Sequence, residues 1–183
     1  LLTSSLAISP GAAALTIGAS VNSGALAALS VEGVLSLVNG TANTQTINAV
    51  VADNTTASII NKSGSGPVVL NGTYSHTGPL VISEGALVFG GHDMPQSVAS
   101  VVGGAGALVK TGTNLLHLLG ANTLSGPVTV HEGKVRPNQN TAFGSAAGGV
   151  FIADGAAIDI GCTPDVGGTR IKDNLNLGAE LFS

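Results

Sequence analysis

Large aliphatic residues recur at alternate positions in short runs: Val68 and Leu70, Leu80 and Ile82, Leu116 and Leu118, Val128 and Val130. A period of two is that of a strand with one buried face. The alternation predicts strands at Ala14 to Ile17, Leu26 to Ser30, Val34 to Val38, Ile47 to Val51, Ser58 to Ile60, Val68 to Leu70, Leu80 to Ser83, Ala86 to Phe89, Ala107 to Val109, Leu115 to Leu119, Val128 to His131, Gly149 to Ala153, Ala157 to Ile160 and Leu175 to Leu177. Gly, Asn, Ser and Thr fill the gaps, and Pro67, Pro79 and Pro127 stand at strand starts, where a missing N–H costs no ladder bond. No segment carries a helical period. Gly90 to Gln96 lacks the alternation and is expected to be a loop leaving the strand array.

The runs repeat. Ser58 to Phe89 laid over Gly106 to Pro137 aligns without a gap at an offset of 48, with Lys62/Lys110, Gly64/Gly112, Leu70/Leu118, Gly72/Gly120, Gly78/Gly126, Pro79/Pro127, Glu84/Glu132 and Gly85/Gly133 identical. Ile60/Leu108, Val68/Leu116, Leu80/Val128, Ile82/Val130 and Leu87/Val135 stay aliphatic in the same register. An acidic residue followed by Gly also recurs at Glu32-Gly33, Glu84-Gly85, Glu132-Gly133 and Asp154-Gly155. Gly there permits the positive φ of a tight corner, and the acidic side chain is expected in solvent. A step of roughly 22 to 24 residues, taken singly or doubled, is one coil of a β-solenoid. About seven to eight coils would make a rod roughly 35 Å long. A globular β-sandwich is the rival, but its core usually recruits aromatics and its strands differ from one another.

Composition supports the narrow coil. Of 183 residues 27 are Gly, aromatics are 3% and there is no Trp. Charged residues are 9%, against about 25% in an ordinary domain. A mean hydropathy of +0.45 with a formal charge of −4 excludes a disordered chain. Lys62, Lys110, Lys134, Arg136, Arg170 and Lys172 are scattered and stacking aromatics are missing, so no nucleic-acid partner is expected. No apolar run reaches the roughly 18 residues of a membrane helix, and five Phe and Tyr cannot girdle a membrane barrel, so no membrane span is expected in this chain. Cys162 is alone, which rules out an internal disulfide framework or a cysteine zinc site and suggests a small buried thiol. Leu1-Leu2-Thr3 has no basic n-region, so Leu1 to Ala19 is not read as a signal peptide and the chain reads as a piece of something longer.

Gly106-Ala107-Leu108-Val109-Lys110-Thr111-Gly112, Leu116-His117-Leu118-Leu119-Gly120, Asn122-Thr123-Leu124-Ser125-Gly126 and Thr129-Val130 with Gly133-Lys134-Val135 resemble the autotransporter-associated β-strand repeat. Asn140-Thr141-Ala142-Phe143-Gly144-Ser145 and Gly155-Ala156-Ala157-Ile158 look like its usual continuation. The close match covers about 55 residues, with a weaker copy at Ser58 to Phe89; Leu124 departs from it, standing where that family favours an aromatic, and Pro127 replaces a frequent Gly. The resemblance implies an all-β fold, a right-handed parallel β-helix forming one solenoid segment over residues 1–183. It also implies an extracellular or cell-surface bacterial protein, secreted as a passenger and built as scaffold, adhesin stalk or filament.

Candidate chemistry is sparse. Gly103-Gly104-Ala105-Gly106 lacks the Asp of a calcium roll and precedes a strand, so it is no dinucleotide loop either. By the repeat, His117 points outward and His131 falls at a corner, both solvated; His76 and His92 complete the four. Asp154, Asp159, Asp165, Arg170, Lys172 and Asp173 form the one charge cluster that could serve a polysaccharide-cleaving groove, with Asp159 facing out. The aromatic subsites and long loops of such enzymes are missing. No catalytic, cofactor-binding or metal residue is therefore assigned, no cofactor is expected, and the chain is read as non-enzymatic. Expected partners are a further solenoid end, or a cell-surface glycan or protein. The alternatives are a glycan- or host-protein-binding adhesin module and a polysaccharide-degrading β-helix enzyme.

Overall fold

The computed structural model describes residues 5–8, 13–18, 28–91 and 94–160. Within them the strands are β1 (Ser5–Ile8), β2 (Leu15–Ile17), β3 (Ala28–Val31), β4 (Val34–Asn39), β5 (Gln45–Ile47), β6 (Val50–Asp53), β7 (Ile59–Ser63), β8 (Pro67–Leu70), β9 (Leu80–Ile82), β10 (Ala86–Phe89), β11 (Gln96–Val98), β12 (Val102–Gly103), β13 (Ala107–Lys110), β14 (Leu115–Leu118), β15 (Val128–Val130), β16 (Lys134–Pro137), β17 (Val150–Ile152) and β18 (Ala157–Ile158). There is no helix among these residues. The strand expected at Leu175 to Leu177 lies outside the described residues, as do Cys162, His92, Asp165, Arg170, Lys172 and Asp173.

Every strand pairing is parallel, and the strands stack as a β-solenoid. One side is β1-β4-β7-β9-β12 and the second is β2-β5-β8-β10-β13-β15-β17. The third side is formed by β3-β6, continued by a bridge between Val51 and Tyr74, and by β11-β14-β16-β18. At the start of β11, Gln96 Nε2 donates to the carbonyls of Leu70, at the end of β8, and Gly72 in the coil below. Along the second side the partners step from Leu15 to Gln45, Val68, Leu87, Leu108, Val128 and Val150. The coil therefore takes 30 residues once and 19 to 23 thereafter. Among the described residues seven stacked strands make about six turns, against the seven to eight expected for all 183 residues from an even coil length. The long first coil consumes chain without adding a layer, and the described height is roughly 29 Å.

Like residues stack on like. Leu35, Ile60, Leu80 and Val102 form one inward column, and Ile47, Leu70 and Phe89 another, all essentially sealed from solvent. Each such aliphatic side chain stabilises the coil by about 1.5–3 kcal/mol. The acidic-Gly corners behave as expected, with φ of +70°, +67°, +72° and +80° at Gly33, Gly85, Gly133 and Gly155. Four strands were not expected: β1 at Ser5–Ile8, β11, which begins on a buried Gln, β12, which ends on Gly, and β16, which interleaves Val135 between Lys134 and Arg136. The single strand expected at Ile47 to Val51 is instead two, β5 and β6, parted by a corner at Asn48-Ala49 that carries the chain from the second side to the third. The loop expected from Gly90 is short: Gly90 and Gly91 are buried, Met94 and Pro95 are exposed, and Gln96 already opens β11.

The offset of 48 is not two coils. Ile60 lies on the first side but its counterpart Leu108 on the second, and Val68 on the second but Leu116 on the third. Each repeat therefore climbs two turns and advances by one side, which the residues beyond two coils supply.

Candidate functional site

The same corner is built in both copies around a lysine. Lys62 and Lys110 follow Ile60 and Leu108 at inward parity, and their side chains are 0% and 1% exposed. Lys62 Nζ donates to the carbonyls of Ser63 (3.1 Å), Gly64 (2.6 Å) and, on the next coil, Glu84 (2.9 Å). Lys110 Nζ donates to the carbonyls of Thr111 and Gly112. Gly64 and Gly112 both have φ of +76°, and a Cβ on either would strike the backbone of the coil below. Burial pushes both amines down, Lys110 to about 8, against the opposing pull of Glu84 and Glu132. Glu132 itself is exposed, as expected, and accepts a bond from Gly112 N at 3.1 Å. The lysine thus satisfies carbonyls that a sharp corner turns inward.

A second buried polar group occupies the core between three coils. Asp53, His76 and Ser100 stack at one corner, with His76 Nε2 3.1 Å from Asp53 Oδ1, close but off the line of a hydrogen bond. On the other edge of the ring, Nδ1 lies 3.2 Å from Tyr74 Oη and 3.4 Å from Ser100 Oγ. Burial lowers the His76 pKa, and it outweighs the raising effect of Asp53 and the Ser58 carbonyl, so the ring is neutral at pH 7. For Asp53 burial acts upward, but bonds from the Thr77 hydroxyl and amide (2.7 and 2.8 Å) and the Ser58 amide hold the carboxyl below its usual value.

Asp, His and Ser in contact invite comparison with a nucleophilic triad. The geometry argues otherwise. His76 and Ser100 are 0% exposed, and Ser100 Oγ donates to the His76 carbonyl at 3.0 Å, which commits its proton. Tyr74 closes the site from within, edge-on to Phe89 with ring centres 5.5 Å apart. The arrangement ties three coils together and holds the His76 ring and the Ser100 hydroxyl away from solvent.

Neither buried group was anticipated, although the signal was present. Lys62 and His76 fall on the inward parity of Ile60 and Tyr74, and reading parity before residue type would have placed both inside.

Outward chemistry lies on the third side. His117 and Arg136 are register partners on β14 and β16, and Arg136 Nη2 meets Asp159 Oδ2 at 2.6 Å. Asp159 faces out, as expected, and His131 is exposed at its corner. Lys134 is exposed two residues before Arg136 on the same strand. Among the described residues no three His, Cys, Asp or Glu come together as metal ligands, and no helix is long and apolar enough to cross a membrane.

Comparison with known proteins meets these same elements. Residues 60–89 and 108–136 match the family described as the passenger-associated-transport-repeat, and they coincide with β7–β10 and β13–β16. The adhesin BmaC autotransporter of Brucella suis biovar 1 (strain 1330) is 32% identical over 146 residues, 69% of this chain. The chain spans about 4% of that relative's length. No solved structure matches.

Proposed function

Because the chain carries autotransporter passenger repeats, we propose that it is a rod-like spacer in an adhesin-like passenger at a bacterial surface, structural and not enzymatic. The observation that carries this is the recurrence of one lysine corner, moved by two turns and one side, beside parallel pairing that runs unbroken along the second side. Such a unit builds length by addition, because each coil offers the next the same sheet edges. Burial of the His76 ring and the Ser100 hydroxyl supports the non-enzymatic reading.

Deleting residues 60–107 tests it. The deletion joins Ile59 to Leu108, which enters the slot of Ile60. The shortened chain should keep its strand signature and lose about 10 Å of length, two strand spacings, by small-angle scattering. Unfolding of that variant would contradict the additive unit. Release of reducing ends from a polysaccharide by the intact chain, abolished in Asp159→Asn, would make it an enzyme instead.

A further inference from the structure

The chain has six Lys and Arg, and the structure sorts them. Lys62 and Lys110 are sealed in corners, and Arg170 and Lys172 lie outside the described residues. The remaining two, Lys134 and Arg136, share β16 at alternate positions, so they project from the same face about 7 Å apart. His117 stands beside Arg136 on the neighbouring strand. We propose that this outer face of β14, β16 and β18 binds acidic glycan, a polysaccharide bearing carboxylate or sulfate groups, with Lys134 and Arg136 as its principal contacts. The proposal rests on the adhesin-like passenger reading and adds a ligand class and a site to it.

Three observations carry it. The charge is not required by the fold: the slots of His117, Lys134 and Arg136 are filled in the first copy by Val69, Ala86 and Val88. Arg136 is held in place, its Nη2 on Asp159 and its Nε enclosed, so a guanidinium with five donors is positioned while Asp159 occupies one nitrogen. Glu132 and Asp154 are exposed at the corners before β16 and β18, Glu132 bonded to the amide of Gly112, so the cationic stretch is the strand itself, beyond those corners. A flat face without aromatic anchors suits an extended anionic polymer laid across the coils better than a protein partner, whose binding energy concentrates in buried aromatic contacts.

The test is retention of the chain on immobilised dextran sulfate and on polygalacturonate, with neutral dextran as control and poly-glutamate and DNA as competing polyanions. Salt-sensitive retention on the sulfated polymer, the carboxylated polymer or both is expected, and the pair of supports tells which acid is recognised. Lys134→Gln/Arg136→Gln should weaken it about tenfold and Lys134→Gln alone about threefold, while Lys134→Arg retains it. The single variant leaves the Arg136–Asp159 pair intact and guards against a folding defect. No retention on either acidic support, undiminished retention of the double variant, or equal capture by poly-glutamate or DNA would overturn the proposal. If retention fails while the 60–107 deletion still yields a shorter folded rod, the glycan site is wrong and the spacer reading stands.

Discussion

The repeat copies at 60–89 and 108–136 agree where the chain turns inward at their first corner and disagree where it faces out. Lys62 and Lys110 fill equivalent corners, and Leu70 and Leu118 equivalent inward slots, all essentially inaccessible. At the alternate parity, half-buried Val69 and Ala86 and buried Val88 of the first copy become His117, Lys134 and Arg136 of the second. Between these lies a stretch that differs although buried: Tyr74 and His76 in one copy, Asn122 and Leu124 in the other. In the first copy that stretch runs on the third side and bonds along the stack, Thr77 to Asp53 and Tyr74 to Ser100. In the second, Asn122 Oδ1 instead accepts from the amide of Val102, on the first side. The corner therefore defines the repeat, because its geometry leaves carbonyls that only a long donor can reach. The faces are free to differ.

The most damaging change to that shared corner should be a side chain at its glycine. Gly112→Ala places a Cβ at φ +76° against the carbonyl oxygens of Gly90 and Gly91, and should cost about 3 kcal/mol in urea unfolding. Gly33→Ala, at φ +70° with no atom within 4 Å, should cost about 1 kcal/mol. Equal costs would mean that corner stacking contributes nothing beyond backbone strain.

Lys62→Met and Lys110→Met should each destabilise by about 2 kcal/mol, because the apolar replacement leaves inward carbonyls unpaired. Lys62 should lose somewhat more, since it alone also ties the Glu84 carbonyl of the next coil. A stabilised Lys110→Met chain would show that desolvation of the ammonium outweighs its bonds.

The two copies should also separate by pH. The folded value of Lys110 lies near 8 and the unfolded value at 10.5, so between these the unfolded chain holds the extra proton and stability rises with pH. Lys110→Met should reduce that rise. His76, found in the first copy alone, has a folded value below its unfolded 6.5, so its contribution is complete above about pH 6.5 and declines as pH falls through that value. His76→Gln should flatten this acid limb while leaving the alkaline rise unchanged. Smallest of all, Asp159→Asn on the outward face should change stability by about 0.5 kcal/mol or less, as for an accessible ion pair, and salt should mask the difference.

Much of this was legible in the chain because a two-residue period and a glycine corner are local properties. Strand β10 is found at Ala86–Phe89 as the alternation requires, and the acidic-Gly pairs sit at positive φ. Two of the missed strands had a weakened signal, since β12 ends on Gly and the outward residues of β16 are two of the few charges in the chain, whereas β1 does carry Leu6 and Ile8 at alternate positions. The buried polar groups were hidden for a different reason. Residue type says Lys and His belong outside, and only parity, which here outweighs type, says otherwise.

The sequence by itself determined that the chain makes short strands of one inward parity, turned at glycine corners and repeated at an offset of 48. That much follows from steric limits on each residue and its immediate neighbours. Which side of the coil each strand occupies, that a repeat climbs two turns and rotates by one side, and that Asp53, His76 and Ser100 meet were decided by the tertiary structure alone. These depend on coil lengths accumulated over many residues, where one residue more or less carries a side chain to a different wall.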